Sequence, residues 1–226
     1  MINTNYIFDD VGAITCAWVG DGRNEETDLA AMVDFMAANN IKTVSVPCGV
    51  SEKIWPWVEK QNTKIIGRFS FKADNVGADV AMSNLATAIT TEFKHGLVGA
   101  QVFVPLNQIT DFVNELLPIR DDLFFHRHFS IAIDVDGKVA PDWTGVFSAI
   151  KKLRADSLLL VAHGDTFNVK SDFVGRIFDM LNKWDADCDL HMMFDNNMMR
   201  VSQVIRMTKK IKPDMMAGLR VFRLMA

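Results

Sequence analysis

The sequence predicts the α/β class and, within it, a single (β/α)8 barrel of the TIM type over residues 1–226, with a final helix that is short or missing. Three observations carry this expectation. Eight short β-branched or apolar runs alternate with seven longer amphipathic runs, the pattern of a parallel sheet whose crossovers are helices. A length of 226 residues falls within the usual span of one such barrel. Neither GxGxxG nor GxxxxGK[ST] occurs, so the glycine fingerprint of an open doubly wound sheet is missing.

The elements follow in order. The first strand is expected over Ala13 to Val19 and the first helix over Glu25 to Asn39, where Leu29, Met32, Val33 and Met36 share one face. Thr43 to Pro47 reads as the second strand, and Glu52 to Gln61 as a helix with Ser51 placed to cap it. The third strand is Ile65 to Phe71, and the helix Ala78 to His95 stops at His95-Gly96 as the first stops at Asn39-Asn40. Gly99 to Val104, Ser130 to Val135 and Ser157 to Ala162 supply the next three strands, separated by helices at Gln108 to Arg120 and Trp143 to Arg154. Ser171 is expected to cap Ser171 to Trp184, whose Phe173, Ile177, Met180 and Leu181 again share a face. Leu190 to Phe194, the helix Met198 to Lys210 and a last strand at Met215 to Val221 complete the count. With no helix after it, the last strand would leave an apolar wall that a homo-oligomer could cover.

Composition narrows the function classes. Hydrophobic residues make up 49% and charged residues 23%, ordinary for a chain that folds on its own. No apolar run approaches the roughly 18 residues that span a bilayer, and MINTNYIFDD lacks the features of a signal peptide, so a cytoplasmic protein without membrane contact is expected. The net charge of −4 is spread along the chain with no basic block, which argues against nucleic acid as a partner. Cys16, Cys48 and Cys188 form no metal or redox spacing and read as free buried thiols. The 13 Met and 16 Phe against one Tyr suggest an apolar core filled by adaptable side chains.

In such barrels chemistry sits at the C-terminal ends of the strands, and here the later strands hold the acid–base groups. His163 ends SLLLVAH, where an imidazole at the barrel mouth could bind a metal or shuttle a proton. Asp134 and Asp195 stand just at or past their strands, and Asp165 follows His163. Only one of Asp134 and Asp136 is expected to face the axis, so they are not read as a catalytic pair, and Asp136-Gly137 also makes a good turn. Arg68 and Arg220 are read as ends of the third and eighth strands, where a guanidinium fork could hold the carboxylate or phosphate of a small anionic molecule; internal pairing with Asp134, Asp165 or Asp195 is the rival reading. The loops DNNMMR and LRVFRLMA lack the glycine-rich backbone of a phosphate site. His126-Arg127-His128 resembles a metal-binding HxH but precedes the fifth strand, at the wrong end. Lys72 lies in a polar loop and reads as solvated.

The stretches DLAAMVDFMAANNIKTVSVP, IIGRFSF, HGLVGAQVFVP and LLLVAHGD resemble the short metal-dependent hydrolases of the amidohydrolase superfamily, in the group of decarboxylases and lactonases. The resemblance implies a hydrolase or decarboxylase using His163 with Asp134 or Asp195 on a substrate bound by Arg68 or Arg220. The ligand motifs depart from that family: Ala17 and Val19 occupy the HxH of the first strand, and Leu219 or Arg220 the place of the last aspartate. No protein metal site is therefore assigned and tight zinc is not expected, while a weakly held divalent metal is allowed. HGLVGAQVFVPLNQITDFV and LRADSLLLVAHGD are also similar to the HpcH-type aldolases, which implies a lyase with Mg²⁺ on Asp134 and Asp165. Schiff-base aldolases need a strand lysine, and the last five strands contain none. A barrel that binds a ligand or partner without catalysis is the third reading.

Overall fold

In the computed structural model, which describes residues 15–20, 26–136, 140–162, 171–195 and 197–225, eight parallel strands close into a barrel in sequence order. The strands are β1 (Thr15–Val19), β2 (Thr43–Pro47), β3 (Lys64–Ser70), β4 (Leu97–Phe103), β5 (His128–Asp134), β6 (Ser157–Val161), β7 (Asp189–Met193) and β8 (Arg220–Met225). The helices are α1 (Glu26–Ala38), α2 (Ser51–Val58), α3 (Ala78–Phe93), α4 (Ile109–Leu116), α5 (Arg120–Phe124), α6 (Trp143–Leu153), α7 (Ser171–Lys183) and α8 (Met198–Ile211). Closure is made by β8 against β1, with Thr15 beside Val221 and Val19 beside Met225. The fold is a (β/α)8 barrel of TIM type, and the run expected as one helix after β4 divides into α4, a 3-10 turn and α5.

Alternation along each strand sorts its residues into two cores. Outward-facing Val44, Val46, Ile65, Ile131, Ile133, Leu158 and Leu160 pack against the apolar faces of the helices. Inward-facing Cys16, Trp18, Ile66, Ala132, Leu159, Val161, Met193 and Phe222 form a second cluster inside the barrel, with Phe103 and Leu224 against it. Helix ends follow local chemistry. Asn40 and Gly96 take left-handed φ values of 51° and 81° just past α1 and α3, as their positions in the sequence suggest. The Asp142 and Asn197 side chains accept from the N–H groups of Thr144 and Arg200 and cap α6 and α8.

Ser51 does not cap α2: it is the first helical residue, and its hydroxyl donates to buried Glu92 of α3, whose other oxygen accepts the Gly49 N–H. Ser171 is the first residue of α7, and the capping expected of its side chain lies outside what the structure describes. Cys16 is buried, Cys188 partly buried and Cys48 exposed, so Cys48 is not the buried thiol its surroundings in sequence suggest. Burial pushes the Cys16 thiol up to about 11 and Cys188 to about 12, which keeps both protonated.

The largest correction concerns β8. Met215 and Met216 belong to a 3-10 turn over Pro213–Ala217, ended by Gly218, and the strand starts only at Arg220. An apolar Met-Met pair looks like the start of a strand, but Pro213 leads the chain into a tight turn and both methionines pack under the outer core. Arg220 is thus the first residue of β8, at the N-terminal end of the barrel rather than the mouth. Val221 on the outer side is buried and Arg223 is exposed, which removes the argument for an apolar wall there. Among the described residues no helix is long and apolar enough to cross a membrane.

Candidate active site at the barrel mouth

The inward face of the strands is not uniformly apolar. Between the aromatic and aliphatic groups lie Ser45, Arg68, Gln101, Ser130, Ser157 and His191, all buried. Arg68 follows Ile66 on the inward side of β3 and is 7% exposed. Its guanidinium donates to the Ser45 carbonyl at 3.0 Å and to the carbonyl of Val19, the last residue of β1, at 2.5 Å. It also lies 4.0 Å above the Trp18 ring. Two carbonyls and an aromatic face thus hold a charged fork at the C-terminal end of the first strands. Trp18 is itself fixed edge-on by Phe103 at 6.3 Å and Phe222 at 5.9 Å between centroids.

A hydrogen-bonded pair supports Arg68 from below. Ser45 donates to Gln101 Oε1 at 2.7 Å, and its hydroxyl oxygen lies 3.4 Å from Arg68 Nη1. Neither Ser45 nor Gln101 stands out in the sequence reading. The available signal was a polar residue at an inward position of an apolar strand, as in TVSVP and GAQVF.

Asp134, the last residue of β5, stands exposed at the mouth end and accepts the Asp136 N–H at 2.8 Å. Asp136 turns away and pairs with Arg200 of α8 at 2.5 Å, so it is structural. The two diverge because the strand ends at Asp134; within a continuing strand, residues two apart share a face. Asp195 lies two residues past β7 at the same end, half-buried, with a left-handed φ of 39°. His163 and Asp165 fall in 163–170, outside the described residues. Arg68, Asp134 and Asp195 therefore share one end of the barrel. Arg220 does not join them, because it opens β8 at the opposite end, where it donates to the Ala217 and Leu219 carbonyls at 3.2 and 2.7 Å.

The opposite end is polar as well. His128 opens β5 and bonds Ser157 at 3.0 Å, and Ser157 donates to Ser130 at 2.8 Å. The His128 ring stacks on His191, with centroids 5.6 Å apart. Burial pushes His191 down to about 3, with the charges of His128 and Arg220 adding to the effect. Burial also lowers His128, against the pull of Asp156 and Asp189. A surface cavity of about 830 Å³ opens here beside His128, Asp156 and Asp189. His128 thus lies at the N-terminal end, as its place before the fifth strand suggests, and in this fold that end serves stability rather than chemistry.

Two features bear on the chemistry expected from the sequence. Ala17 and Val19 face outward into the helix-packed core, so neither stands where a ligand to a metal in the barrel could sit. Among the described residues no group of three His, Cys, Asp or Glu could hold a metal ion. Among the described strands the only lysine is Lys64, the first residue of β3, while Lys72 past that strand is exposed.

The fold and the charged mouth define a TIM-type barrel with a polar belt across its interior. No protein-family model and no curated protein matches the chain. Solved structures do resemble it. A Toxoplasma gondii ME49 protein provisionally assigned as a deoxyribose-phosphate aldolase matches with a TM-score of 0.72 at 13% identity, over 99% of this chain and 93% of that one. The deoxyribose phosphate aldolase of Aeropyrum pernix matches with a TM-score of 0.68 at 10% identity, over 95% and 86%. The carboxyl transferase domain of Rhizobium etli pyruvate carboxylase matches with a TM-score of 0.58 at 13% identity, over 93% of this chain and 40% of that one. None of these three is an amidohydrolase. At such identities the likeness concerns the fold alone.

Proposed function

We propose that the chain is a lyase of the aldolase kind, acting on a small carboxylated molecule held at the barrel mouth by Arg68. The observation that carries this reading is the Arg68 guanidinium, fixed at the mouth end by the carbonyls of Ser45 and Val19 over Trp18. A cation fixed before the ligand arrives loses little freedom on binding a carboxylate. Aldol cleavage needs a base that takes the proton of the substrate hydroxyl and a cation that stabilises the enolate left when the C–C bond breaks. Asp134 supplies the base in this reading and Arg68 the cation; His163 returns the proton to the enolate carbon, with Asp195 as a further mouth group and Asp165 as a substrate-binding residue by its place in the sequence. The described strands β4 to β8 hold no lysine for a Schiff base, which favours the HpcH-like alternative over lysine chemistry. Its metal would rest on Asp134 and Asp165, and the described residues offer no complete ligand set, so no step is routed through a metal. Of the amidohydrolase reading only the barrel is retained.

The apolar inward residues at or near the ends of five strands, namely Trp18, Phe103, Val161, Met193 and Leu224, favour a second reading as a non-catalytic ligand-binding barrel. A panel of small β-hydroxy carboxylates, assayed for released aldehyde or ketone, separates the two. Turnover that falls by about two orders of magnitude in both Arg68→Lys and His163→Asn, with unchanged melts, supports the lyase. Saturable carboxylate binding without turnover supports the second reading, and neither binding nor turnover overturns both.

A further inference from the structure

The buried Gln101 carboxamide is more than a partner for Ser45. Gln101 is fully buried, and its Nε2 has no hydrogen-bond partner, although a buried amide N–H left unpaired is costly. Its orientation follows from its neighbours. Ser45 Oγ is within reach of an Arg68 N–H, so the Ser45 proton goes to Gln101 and meets the amide oxygen. The NH2 group then faces the barrel interior. Gln101 sits beside Arg68 in the strand register, on the adjacent strand and the same inward face. Phe103, on the same inward face of β4, follows Gln101 by two residues toward the mouth.

We propose that Gln101 Nε2 is the second donor of the oxyanion subsite whose first donor is Arg68, and that it is a specificity-determining residue of this barrel. The inference rests on the reading of Arg68 as the carboxylate anchor. A guanidinium alone accepts any small anion; a fixed amide N–H beside it selects a ligand with an oxygen acceptor deep in the barrel and leaves an unpaired donor against a ligand without one.

The test uses oxalate as the probe, followed by calorimetry and by the ¹⁵N side-chain resonances of Gln101, identified by their loss in Gln101→Met. The expected result is that oxalate shifts these resonances, that Gln101→Met weakens binding about tenfold or more, and that Ser45→Ala weakens it less than threefold. Equal losses in Gln101→Met and Ser45→Ala would show Gln101 acting only through Ser45 and overturn the proposal. So would unshifted amide resonances while oxalate still binds and Arg68→Lys still abolishes binding; in that case the Arg68 reading stands and this one fails. Absence of any oxalate binding to the wild-type chain overturns the Arg68 reading and this one with it. A Gln101→Leu variant, uncharged and without the donor, guards against misfolding of the Met variant and is expected to weaken oxalate binding at least as much.

Discussion

His191 makes stability depend on pH with a sign and size that follow from its place in the barrel. It is 5% exposed, stacked on His128 and close to Phe222, and burial with the nearby charges of His128 and Arg220 pushes it from 6.5 down to about 3. In the unfolded chain the imidazole takes up a proton as pH falls through 6.5, while in the barrel it stays neutral to about pH 3. The unfolded state then binds more protons, so stability present above pH 6.5 is lost as pH falls toward 3. Each unit is worth on the order of 1 kcal/mol, so the loss reaches about 3 kcal/mol at a pH about two units below 6.5 and grows further toward pH 3. Urea unfolding near neutral pH and near pH 4.5 reads this directly. His191→Phe keeps a ring against His128 and Phe222 and removes the titration, so its stability is expected to fall by about 3 kcal/mol less than wild type over that interval. Parallel losses in the two proteins would refute the reasoning, because the acid sensitivity would then belong to other groups.

Three further outcomes follow from packing. Trp18→Ala, which empties the contact with Phe103 and Phe222 and removes the face beneath Arg68, is expected to cost about 3–5 kcal/mol by denaturant unfolding. Gly99→Ala would place a Cβ 2.5 Å from the His128 carbonyl oxygen, a backbone atom in the neighbouring strand, so a lower Tm and a loss of about 1–3 kcal/mol are expected where a surface glycine would show little change. In the Arg200–Asp136 pair the arginine is 2% exposed and the aspartate 22%, so Asp136→Asn, which strands the more buried charge, is expected to destabilise by about 3–5 kcal/mol, and Arg200→Met by less. Equal costs for the two single variants would contradict that order.

The sequence by itself determined the barrel. Runs such as TVSVP, SIAID and SLLLV are too short and too β-branched or apolar to be anything but strands, and the amphipathic runs between them have one apolar face each, so eight repeats in series leave a closed parallel sheet as the compact solution. It also placed Arg68 and Asp134 at the mouth and His128 at the far end, because position along a parallel strand translates directly into an end of the barrel. Only the tertiary structure decided which residues share the interior. Alternation is readable only once a strand's first residue is known, and MMAGLRV conceals a 3-10 turn that moves Arg220 from one end of the barrel to the other. The contacts of Ser45 with Gln101, of Arg68 with Val19 and Trp18, and of His128 with His191 join residues up to 63 positions apart through barrel closure. No local pattern in the chain encodes such contacts, because they exist only when inward side chains from neighbouring and opposite strands converge on one axis.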